Sequence, residues 1–600
     1  MQIPATRPKA HARLAALAQA QEWTEALRFA RAMLKRWPGE SATIETAAIA
    51  AKHLQQPEES ARYYKQLCEL NPGMSELLVP YAVSLLEAGR SAEAQALLSR
   101  RLALAPRDSH ASFNLGRVFE AQGDLAQAAE AYRAATVAQP DLAQAWLNLG
   151  VVLHAELDFE GALTALTRAW ALWPNSPQVA SNLSAALLGL KRADEALQLA
   201  RFAVSAAPDS DEAGLNLGCA LRDLGQIAAA EAEYERVVAM ATRLAPRAAL
   251  NLAALCGERQ RGADAVRWLE FMLRLEPNAA DGALALGVEY LAQGEMLAGW
   301  PLYEHRLNAA SGQKLLDVPA SLPLWSGESL AGKRVLVVPE QGFGDELQFC
   351  RFVPRLRALG ASAVGLVARQ ALLRLLPGLA GIDALIPLAD LQQAGDWDYW
   401  VPMMSLPLRL GVELAQVGSP PYLSPPSDAA ARWRSALQRP SIGLVWRGNP
   451  NHANDRHRSL PDLNTLAPLA ALAGVQWVNL QINATPSELE AAAQLGLPLM
   501  DPSAELSGFA DTAALISALD LVITVDTAVA HLAGALGRPC WVLLPWIGCD
   551  WRWLRDRDDS PWYDSLRLYR QPHEGDWASV IEAVTRDVQR QLLQTPDALG

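Results

Sequence analysis

The segment 521–545 holds the residues whose types and spacing are best suited to chemistry. The apolar stretch Leu521–Val525 predicts a buried parallel strand, and Asp526 and Thr527 follow it directly before a short predicted helix. Open α/β sheets bind ligands where a strand's carboxyl end leads into a helix N-terminus, and the free amides there favour a diphosphate. Asp526 and His531 would then contact sugar or ribose hydroxyls. Alternatively, Asp526 and Thr527 only cap the helix.

Other polar segments of the C-terminal half also follow predicted strands. Gly342-Phe-Gly-Asp345 comes between a strand at 334–339 and a helix at about 346–359, and the loop 448–461 follows a strand at 441–446. Further strands are predicted at 363–368, 384–388, 399–403, 475–480, 521–525, 540–544 and 566–569, with a helix between the first two. A proline-rich break divides the strands at Pro420, Pro421, Pro425 and Pro426. We expect two doubly wound α/β halves that enclose a cleft between the carboxyl ends of both sheets.

The N-terminal half contains an internal repeat marked by prolines. Successive prolines are 34 residues apart at Pro38, Pro72, Pro106, Pro140, Pro174 and Pro208, and the spacing changes to 38 at Pro246 and to 31 at Pro277. Small residues recur at Gly116, Gly150 and Gly218 and at Ala128, Ala162 and Ala196. They would let two antiparallel helices approach closely, and each proline would end the second helix of its unit. The pattern resembles the tetratricopeptide repeat, as eight units over about 7–278 and a degenerate helix pair over 280–307.

A row of asparagines recurs at nearly the same position of successive units: Asn114, Asn148, Asn182, Asn216 and Asn251. The resemblance implies that the repeats bind a protein or peptide in a concave groove. There the asparagines would hydrogen-bond the backbone of an extended partner, as in tetratricopeptide-type glycosyltransferases. The alternative is that each asparagine satisfies a neighbouring turn or loop carbonyl.

The C-terminal motifs together resemble one family of sugar-transferring enzymes. Gly344-Asp345, the loop 448–461 and Asp526-Thr-Ala-Val-Ala-His531 are similar to glycosyltransferase family nine, the ADP-heptose heptosyltransferases of GT-B fold, over about 334–575. The whole chain resembles bacterial tetratricopeptide proteins with a heptosyltransferase-like C-terminal domain.

The resemblance also implies a role for individual residues. Asp345 would be the catalytic general base, although its alternative role is a helix N-cap. Arg458 would bind the donor diphosphate in place of the family's lysine, with Arg456 as the alternate candidate. Thr527 and Ala528 would offer backbone amides to the diphosphate. Asp526 and His531 would orient the donor.

Composition excludes several other classes of protein. The chain has 600 residues, of which 51% are hydrophobic and 20% charged, so we expect several folded domains. A net charge of −13 argues against nucleic-acid binding. Six scattered cysteines indicate neither a disulfide framework nor a zinc site, and no transmembrane segment or signal core is evident. We expect a soluble, cytoplasmic protein without a metal or other cofactor.

These expectations combine into one domain scheme. An all-α tetratricopeptide superhelix would occupy 1–307, a linker 308–333, the acceptor-side half of the GT-B fold 334–425, and its nucleotide-sugar-binding half 426–600. We expect an inverting, metal-independent glycosyltransferase that uses a nucleotide-diphosphate sugar, with the repeats recruiting a protein or glycan acceptor. The alternatives are a protein O-GlcNAc transferase-like enzyme and a non-catalytic scaffold with a nucleotide-binding GT-B domain.

Overall fold

A computed structural model describes residues 4, 6–308, 318–452 and 454–593. Positions 309–317 of the expected linker, residue 453 of the loop 448–461, and the terminal residues 594–600 lie outside the described part. The chain forms two compact units, Met1–Ala245 and Pro246–Gly600.

The first unit consists of antiparallel helix pairs. Its helices are α1 (Arg7–Gln19), α2 (Trp23–Arg36), α3 (Ser41–His53), α4 (Pro57–Leu70), α5 (Leu78–Glu87), α6 (Ser91–Leu104), α7 (Ser109–Gln122), α8 (Leu125–Ala138), α9 (Ala143–Ala155), α10 (Phe159–Leu172), α11 (Pro177–Gly189), α12 (Ala193–Ala206), α13 (Asp211–Asp223) and α14 (Ile227–Ala239). Each proline of the constant 34-residue series lies two residues beyond the end of the second helix of a pair, as predicted. The all-helical repeat fold is therefore confirmed.

Glycine lets the two helices of a pair touch. A Cβ atom on Gly116 would lie 2.6 Å from the ring of Tyr132, and one on Gly218 would lie 2.4 Å from the ring of Tyr234. These distances are well inside van der Waals contact. The predicted close approach at the small residues is therefore present.

The repeat pattern continues into the second unit with α15 (Ala245–Glu258), α16 (Gly262–Leu275), α17 (Ala280–Ala292) and α18 (Met296–Tyr303). The proline prediction is wrong at Pro246, which is the second residue of α15 and does not end a helix. A proline at the first turn loses no intrahelical hydrogen bond, so it is tolerated at a helix start. Pro277 follows the end of α16 as expected.

Two parallel sheets follow. The first contains β1 (Arg334–Val338), β2 (Ala363–Ala368), β3 (Ala384–Pro387) and β4 (Tyr399–Pro402) in the order β3-β2-β1-β4. The second contains β5 (Ser441–Val445), β6 (Gln476–Asn479), β7 (Leu499–Met500), β8 (Leu521–Val525), β9 (Cys540–Leu544) and β10 (Leu566–Arg570) in the order β10-β9-β8-β5-β6-β7. Every pairing between these strands is parallel. The expected α/β architecture of two Rossmann-like sheets is confirmed, and the two-residue β7 is an addition to it.

The helices of this region are α19 (Phe343–Phe349), α20 (Arg355–Ala358), α21 (Leu406–Arg409), α22 (Ser427–Ala436), α23 (Asp455–Arg458), α24 (Pro486–Gln494), α25 (Phe509–Ile516), α26 (Ala528–Ala535) and α27 (Trp577–Val588). The predicted helix at about 346–359 is instead split by a 3₁₀ turn at Cys350–Phe352, because Pro354 has no amide proton to continue the ladder. The helix predicted between β2 and β3 is also wrong. Two 3₁₀ turns, Gln370–Leu372 and Leu376–Gly378, take its place beside Pro377.

The last repeat helices and both sheets contribute to one continuous apolar core. Trp300 of α18 is 2% exposed and belongs to the same buried cluster as residues of β1, α25 and α26. Its indole nitrogen donates to the carbonyl of Val412 at 2.8 Å. In the described part of the chain, no helix is long and apolar enough to cross a membrane.

Candidate functional site

The motifs singled out in the sequence lie at the points where the strand order of each sheet reverses. In the second sheet, β5 and β8 are neighbours, and the chain proceeds from them toward opposite edges. The loop 448–461 follows β5 and Asp526 follows β8, so both lie at the reversal. In the first sheet, β1 and β4 form the equivalent pair, and Asp345 follows β1. Parallel sheets bind ligands at such reversals, because the adjoining loops diverge and leave a crevice.

Asp345 lies in the first turn of α19, and both of its carboxylate oxygens are engaged. The amide of Gly342 donates to Oδ2 at 2.7 Å. Gly342 is the N-cap residue and Asp345 is the third residue of the helix, so Asp345 supports the helix start but is not the N-cap considered from the sequence. The guanidinium of Arg552 donates to Oδ1 and joins the first sheet's half to the second. The side chain of Asp345 is 19% exposed, so solvent or a substrate can still reach it.

The Asp526–His531 segment packs directly against the Asp345 segment. Thr527 caps α26, and its hydroxyl accepts from the amide of Val529 at 3.3 Å, while Ala528 is the first helical residue. A Cβ atom on Gly344 would lie 2.9 Å from Cδ2 of His531. The expected cleft therefore does not separate Gly344 from His531, because these two residues are in contact.

Arg552 is the main site residue that the sequence analysis missed. Its side chain is 6% exposed and donates to both oxygens of Asp550 at 2.9 Å, to Gln348 at 2.8 Å and to Asp345. It also lies over the ring of Trp551, 4.5 Å from the ring centroid. The sequence Asp550-Trp-Arg-Trp could have indicated this residue, because an arginine flanked by tryptophans is expected to be buried and a buried arginine needs carboxylate partners.

The carboxyl groups at the site have shifted proton affinities. Burial, together with the nearby charge of Asp550, raises the pKa of Asp526 to about 6. Burial alone would raise the pKa of Asp550 as well, but the guanidinium of Arg552 holds it below the ordinary value. Asp526 therefore changes charge close to neutral pH, whereas Asp550 stays ionised beside its partner.

His531 is held as a neutral imidazole. It is 6% exposed, stacks on Trp553 with ring centroids 5.2 Å apart, and has Nδ1 3.2 Å from the hydroxyl of Tyr563. Burial, helped by the positive charge of Arg552, lowers its pKa to about 3. At neutral pH the ring contributes shape and hydrogen bonding, and it carries no charge. The neighbouring tryptophans Trp551, Trp553 and Trp562 are buried packing residues.

The two candidate arginines of the loop 448–461 differ in position. Arg458 is 16% exposed, its Nε donates to Asp455 at 3.3 Å, and its charge lowers the pKa of Asp526. Arg456 is exposed, and its Nε donates to Nε2 of His457 at 2.9 Å. The charge of Arg458 thus acts on Asp526, whereas the described hydrogen bond of Arg456 is made to the neighbouring His457.

Glu346 is a second buried carboxyl that the sequence analysis did not single out. It follows Asp345, is 1% exposed and pairs with Arg369. Its second oxygen, Oε2, has no hydrogen-bond partner among the described residues. Burial raises its pKa to about 7, although Arg369 opposes the shift.

The asparagine row makes intramolecular hydrogen bonds, but the described acceptors are helix carbonyls and a tyrosine hydroxyl rather than turn or loop carbonyls. Asn114 and Asn182 donate to carbonyls one turn earlier in their own helices, at 2.8 and 2.9 Å. Asn148 donates to the hydroxyl of Tyr132 at 3.1 Å, and Asn216 donates to the carbonyl of Ser181 at 3.0 Å. Asn251 lies in α15 of the second unit and also has a partner. Partner binding by this row remains a prediction.

Within the described residues, no group of three or more histidines, cysteines, aspartates and glutamates is arranged to hold a metal ion.

Comparison with known families matches both parts of the chain. Residues 82–143, 121–177 and 215–280 match the tetratricopeptide repeat family, and residues 487–543 match glycosyltransferase family 9 (heptosyltransferase). The chain therefore carries tetratricopeptide repeats in its N-terminal region and a C-terminal segment that is similar to glycosyltransferase family 9. That segment runs from α24 to β9 and includes Asp526, Thr527, Ala528 and His531. Asp345 and the loop 448–461 lie outside it. The match supports a glycosyltransferase and does not specify the donor.

Among curated proteins, the chain is similar to Protein FlbA of Caulobacter vibrioides, with 30% identity over 326 residues. The match covers 49% of this chain and 52% of FlbA, so the chain spans about half the length of that relative.

Similar solved structures include the APC/C hetero-tetramer Cut9-Hcn1, at 16% identity and a TM-score of 0.36, covering 47% of this chain and 55% of that chain. They also include Pseudomonas aeruginosa pilF, at 20% identity and a TM-score of 0.30, covering 35% and 94%. MamA of RS-1, a double mutant, matches at 19% identity and a TM-score of 0.26, covering 28% and 93%.

Proposed function

We propose that this protein is an inverting glycosyltransferase that moves a sugar from a nucleotide-diphosphate donor to an acceptor hydroxyl without a metal ion. One observation carries the proposal. The family 9 segment contributes Asp526 and the start of α26 at the strand-order reversal of the second sheet, beside Arg458 and in contact with the Asp345 segment of the first sheet. Donor-binding and acceptor-activating groups would therefore meet at one point.

The diphosphate is assigned to Arg458 and the amino end of α26. Among the described residues, Arg458 forms an ion pair with Asp455 through Nε at 3.3 Å, which leaves its other guanidinium donors for a ligand. Arg552 is less suitable, because Asp550 and Asp345 already occupy its guanidinium. A guanidinium together with backbone amides can neutralise a leaving diphosphate, and the proposed mechanism therefore uses no metal.

Asp345 is assigned as the general base. The acceptor hydroxyl would attack the anomeric carbon from the face opposite the diphosphate, and its proton would pass to a carboxylate oxygen of Asp345 as the bond to the diphosphate breaks. Each oxygen of Asp345 already accepts one hydrogen bond and keeps a further lone pair for this proton. The family match does not cover Asp345, so this role rests on position alone.

The repeats are assigned to recruitment of a protein or glycan acceptor. Asn182 and Asn216 donate through their amide nitrogens and are only partly buried, so their amide oxygens are the best placed of the row to accept from a partner backbone.

Thermal unfolding of the full chain with ADP, UDP, GDP and dTDP tests the donor site, with and without EDTA. At about 100 times its dissociation constant, the correct diphosphate should add roughly 2.7 kcal/mol to stability, and EDTA should not reduce the effect. Arg458→Ala should lose this stabilisation, while Arg456→Ala, on the same loop, should retain it. A shift that requires divalent metal, or no shift with any of the four, contradicts the proposal.

A non-catalytic nucleotide-binding scaffold is the second candidate. The two hydrogen bonds of Asp345 favour the scaffold, because a carboxylate that accepts from the amide of Gly342 at the helix start and pairs with Arg552 already has a structural role. Diphosphate binding without hydrolysis or transfer of any nucleotide sugar would support the scaffold. Transfer of N-acetylglucosamine to a protein hydroxyl would support the O-GlcNAc transferase-like alternative.

A further inference from the structure

The imidazole of His531 lies between Tyr563 and Gly344. Its Nδ1 is 3.2 Å from the hydroxyl of Tyr563, whereas a Cβ atom on Gly344 would lie 2.9 Å from Cδ2 and 3.6 Å from Nε2. Among the described residues, no hydrogen bond to Nε2 is present. The position of the single ring proton decides what Nε2 can bind, because a protonated ring nitrogen donates and an unprotonated one accepts.

Tyr563 is held against α26 by close packing. It is 2% exposed, and a Cβ atom on Gly534 would lie 2.4 Å from its ring. Gly534 lies about one helical turn after His531, so the tyrosine ring can rest on the helix with its hydroxyl beside the imidazole. Trp553 stacks on His531 with 16° between the two ring planes and holds the imidazole in place. The contact between Tyr563 and His531 is therefore a fixed part of the fold.

Tyr563 is the donor in this hydrogen bond. Burial raises the pKa of the Tyr563 hydroxyl, so the hydroxyl keeps its proton. Burial also lowers the pKa of His531, so the imidazole is neutral and has one unprotonated nitrogen. An imidazole nitrogen is a stronger acceptor than a phenolic oxygen, and the proton of Tyr563 is therefore directed to Nδ1.

Arg351 disfavours the reverse arrangement, in which Nδ1 would donate to Tyr563 and Tyr563 would donate to Tyr422. The hydroxyl of Tyr422 accepts from Arg351 at 3.0 Å and donates to the carbonyl of Leu347 at 2.7 Å. The other described hydrogen bonds of Arg351 go to backbone carbonyls, which leave its positive charge in place. A Tyr563 proton turned toward Tyr422 would approach this cation, and the repulsion favours the direction of His531.

Nε2 then carries the ring proton and faces the start of α26. Side chains of a helix tilt toward its N-terminus, so His531 lies over the first turn. The same Cβ atom on Gly344 would lie 3.7 Å from Cα of Ala528, the first residue of α26. Nε2 is therefore directed to the region assigned to the diphosphate, where it adds a neutral donor to the backbone amides.

We propose that Tyr563 is a positioning residue that fixes His531 as the tautomer protonated on Nε2, so that His531 donates a hydrogen bond to an oxygen of the nucleoside diphosphate. The ligand role rests on the proposed glycosyltransferase function, whereas the tautomer does not. A histidine protonated on Nδ1 would instead present the lone pair of Nε2 to the anion and repel it.

Nitrogen NMR of the full-length protein tests the tautomer. With ¹⁵N-labelled histidine, long-range proton–nitrogen correlations distinguish protonated from unprotonated ring nitrogens, and His531→Gln identifies the His531 signals by their loss. In the wild type at pH 7, Nδ1 should be unprotonated and Nε2 protonated. Tyr563→Phe should shift both signals toward the average of the two tautomers. A protonated Nδ1 in the wild type, or signals that Tyr563→Phe leaves unchanged, overturns the proposal.

Diphosphate affinity tests the positioning role in the wild type, the two single variants and the double variant. The ligand is whichever of ADP, UDP, GDP and dTDP binds the wild type most tightly. Glutamine can donate from a position close to Nε2 and has no tautomers, so His531→Gln keeps a donor that does not depend on Tyr563. Tyr563→Phe should weaken binding about three- to tenfold in the wild-type background and less than about twofold in the His531→Gln background. Equal weakening in both backgrounds, or none in the wild type, overturns the proposal.

Tyr569→Phe is the matched control. It removes another buried tyrosine hydroxyl of the second sheet's half, which donates to Asp587 at 2.8 Å, and it should change neither the His531 signals nor diphosphate affinity. Effects as large as those of Tyr563→Phe would overturn the proposal.

The two measurements separate this inference from the proposed function. Diphosphate binding together with His531 protonated on Nδ1 overturns the inference and leaves the donor site standing. The expected tautomer without binding of any of the four diphosphates overturns the donor site and the ligand role of His531, and leaves the effect of Tyr563 on the tautomer standing.

Discussion

Replacing Arg552 by methionine removes the cation that joins the two halves of the α/β region. Methionine keeps much of the aliphatic volume over Trp551 but leaves the carboxylates of Asp345 and Asp550 without their shared partner. Because the Arg552 side chain is 6% exposed, water cannot readily replace it. Breaking a buried ion pair costs about 3–5 kcal/mol, so we expect Arg552→Met to destabilise the second unit by about that amount at pH 7.

The loss should depend on pH in a defined direction. In the wild type the pKa of Asp550 is lowered, so its contribution is present above the ordinary aspartate pKa and is lost as the pH falls. Without Arg552, burial raises the pKa of Asp550, and protonation relieves the penalty as the pH falls. The difference between variant and wild type should therefore shrink between pH 7 and about pH 4. Asp550→Asn in the variant background should recover part of it at pH 7.

Urea unfolding measures the change, and hydrogen exchange followed by mass spectrometry locates it in peptides from α19 and 546–563. Arg557→Met is the matched control. It removes an ion pair with Asp559 from the same segment, but the two side chains are 29% and 66% exposed, so the expected cost is below about 1 kcal/mol. A loss for Arg552→Met no larger than the control's, or one independent of pH, would refute the argument that Arg552 holds the halves together.

Three further outcomes are expected. Asp345→Asn should slow sugar transfer by a factor of about 10²–10⁴ and leave diphosphate binding nearly unchanged, whereas Arg458→Ala should weaken diphosphate binding. Single-turnover transfer rates and donor affinities of both variants test this expectation, and transfer by Asp345→Asn at the wild-type rate would reject Asp345 as the general base. Burial lowers the pKa of His531 to about 3, so the wild-type free energy of unfolding is retained above pH 6.5 and falls as the pH decreases. Between about pH 6.5 and 4.5 the loss from His531 is up to about 2.7 kcal/mol. In urea unfolding, His531→Phe should lack this part of the pH dependence. Gly218→Ala should destabilise the repeats by about 1–3 kcal/mol in thermal unfolding, because its Cβ would lie 2.4 Å from a tyrosine ring. Gly73→Ala is the control and should change stability little, because its Cβ would meet nothing within 4 Å. Equal effects of the two variants would contradict the close approach of the helices at Gly218.

Local sequence patterns predicted the fold well. Nine of the ten strands found among the described residues were anticipated, because each is a short apolar run with turn residues at its ends, and the proline period anticipated the helix pairs. The errors occurred where a local signal was ambiguous. Pro246 begins a helix although the repeat period suggested an end, and the two-residue β7 is too short to leave an apolar pattern.

The candidate site was likewise predictable from the sequence only in part. The sequence by itself determined that Asp345 and Asp526 follow buried strands and lie at the start of a helix or just before it, because strand, turn and helix are set by residues close together in the chain. Only the tertiary structure decided that Arg552 pairs with Asp345, since 207 residues separate them and the pairing depends on how the two sheets pack. The shifted pKa of Asp526 has the same origin, because burial and the neighbouring charge of Asp550 exist only after folding.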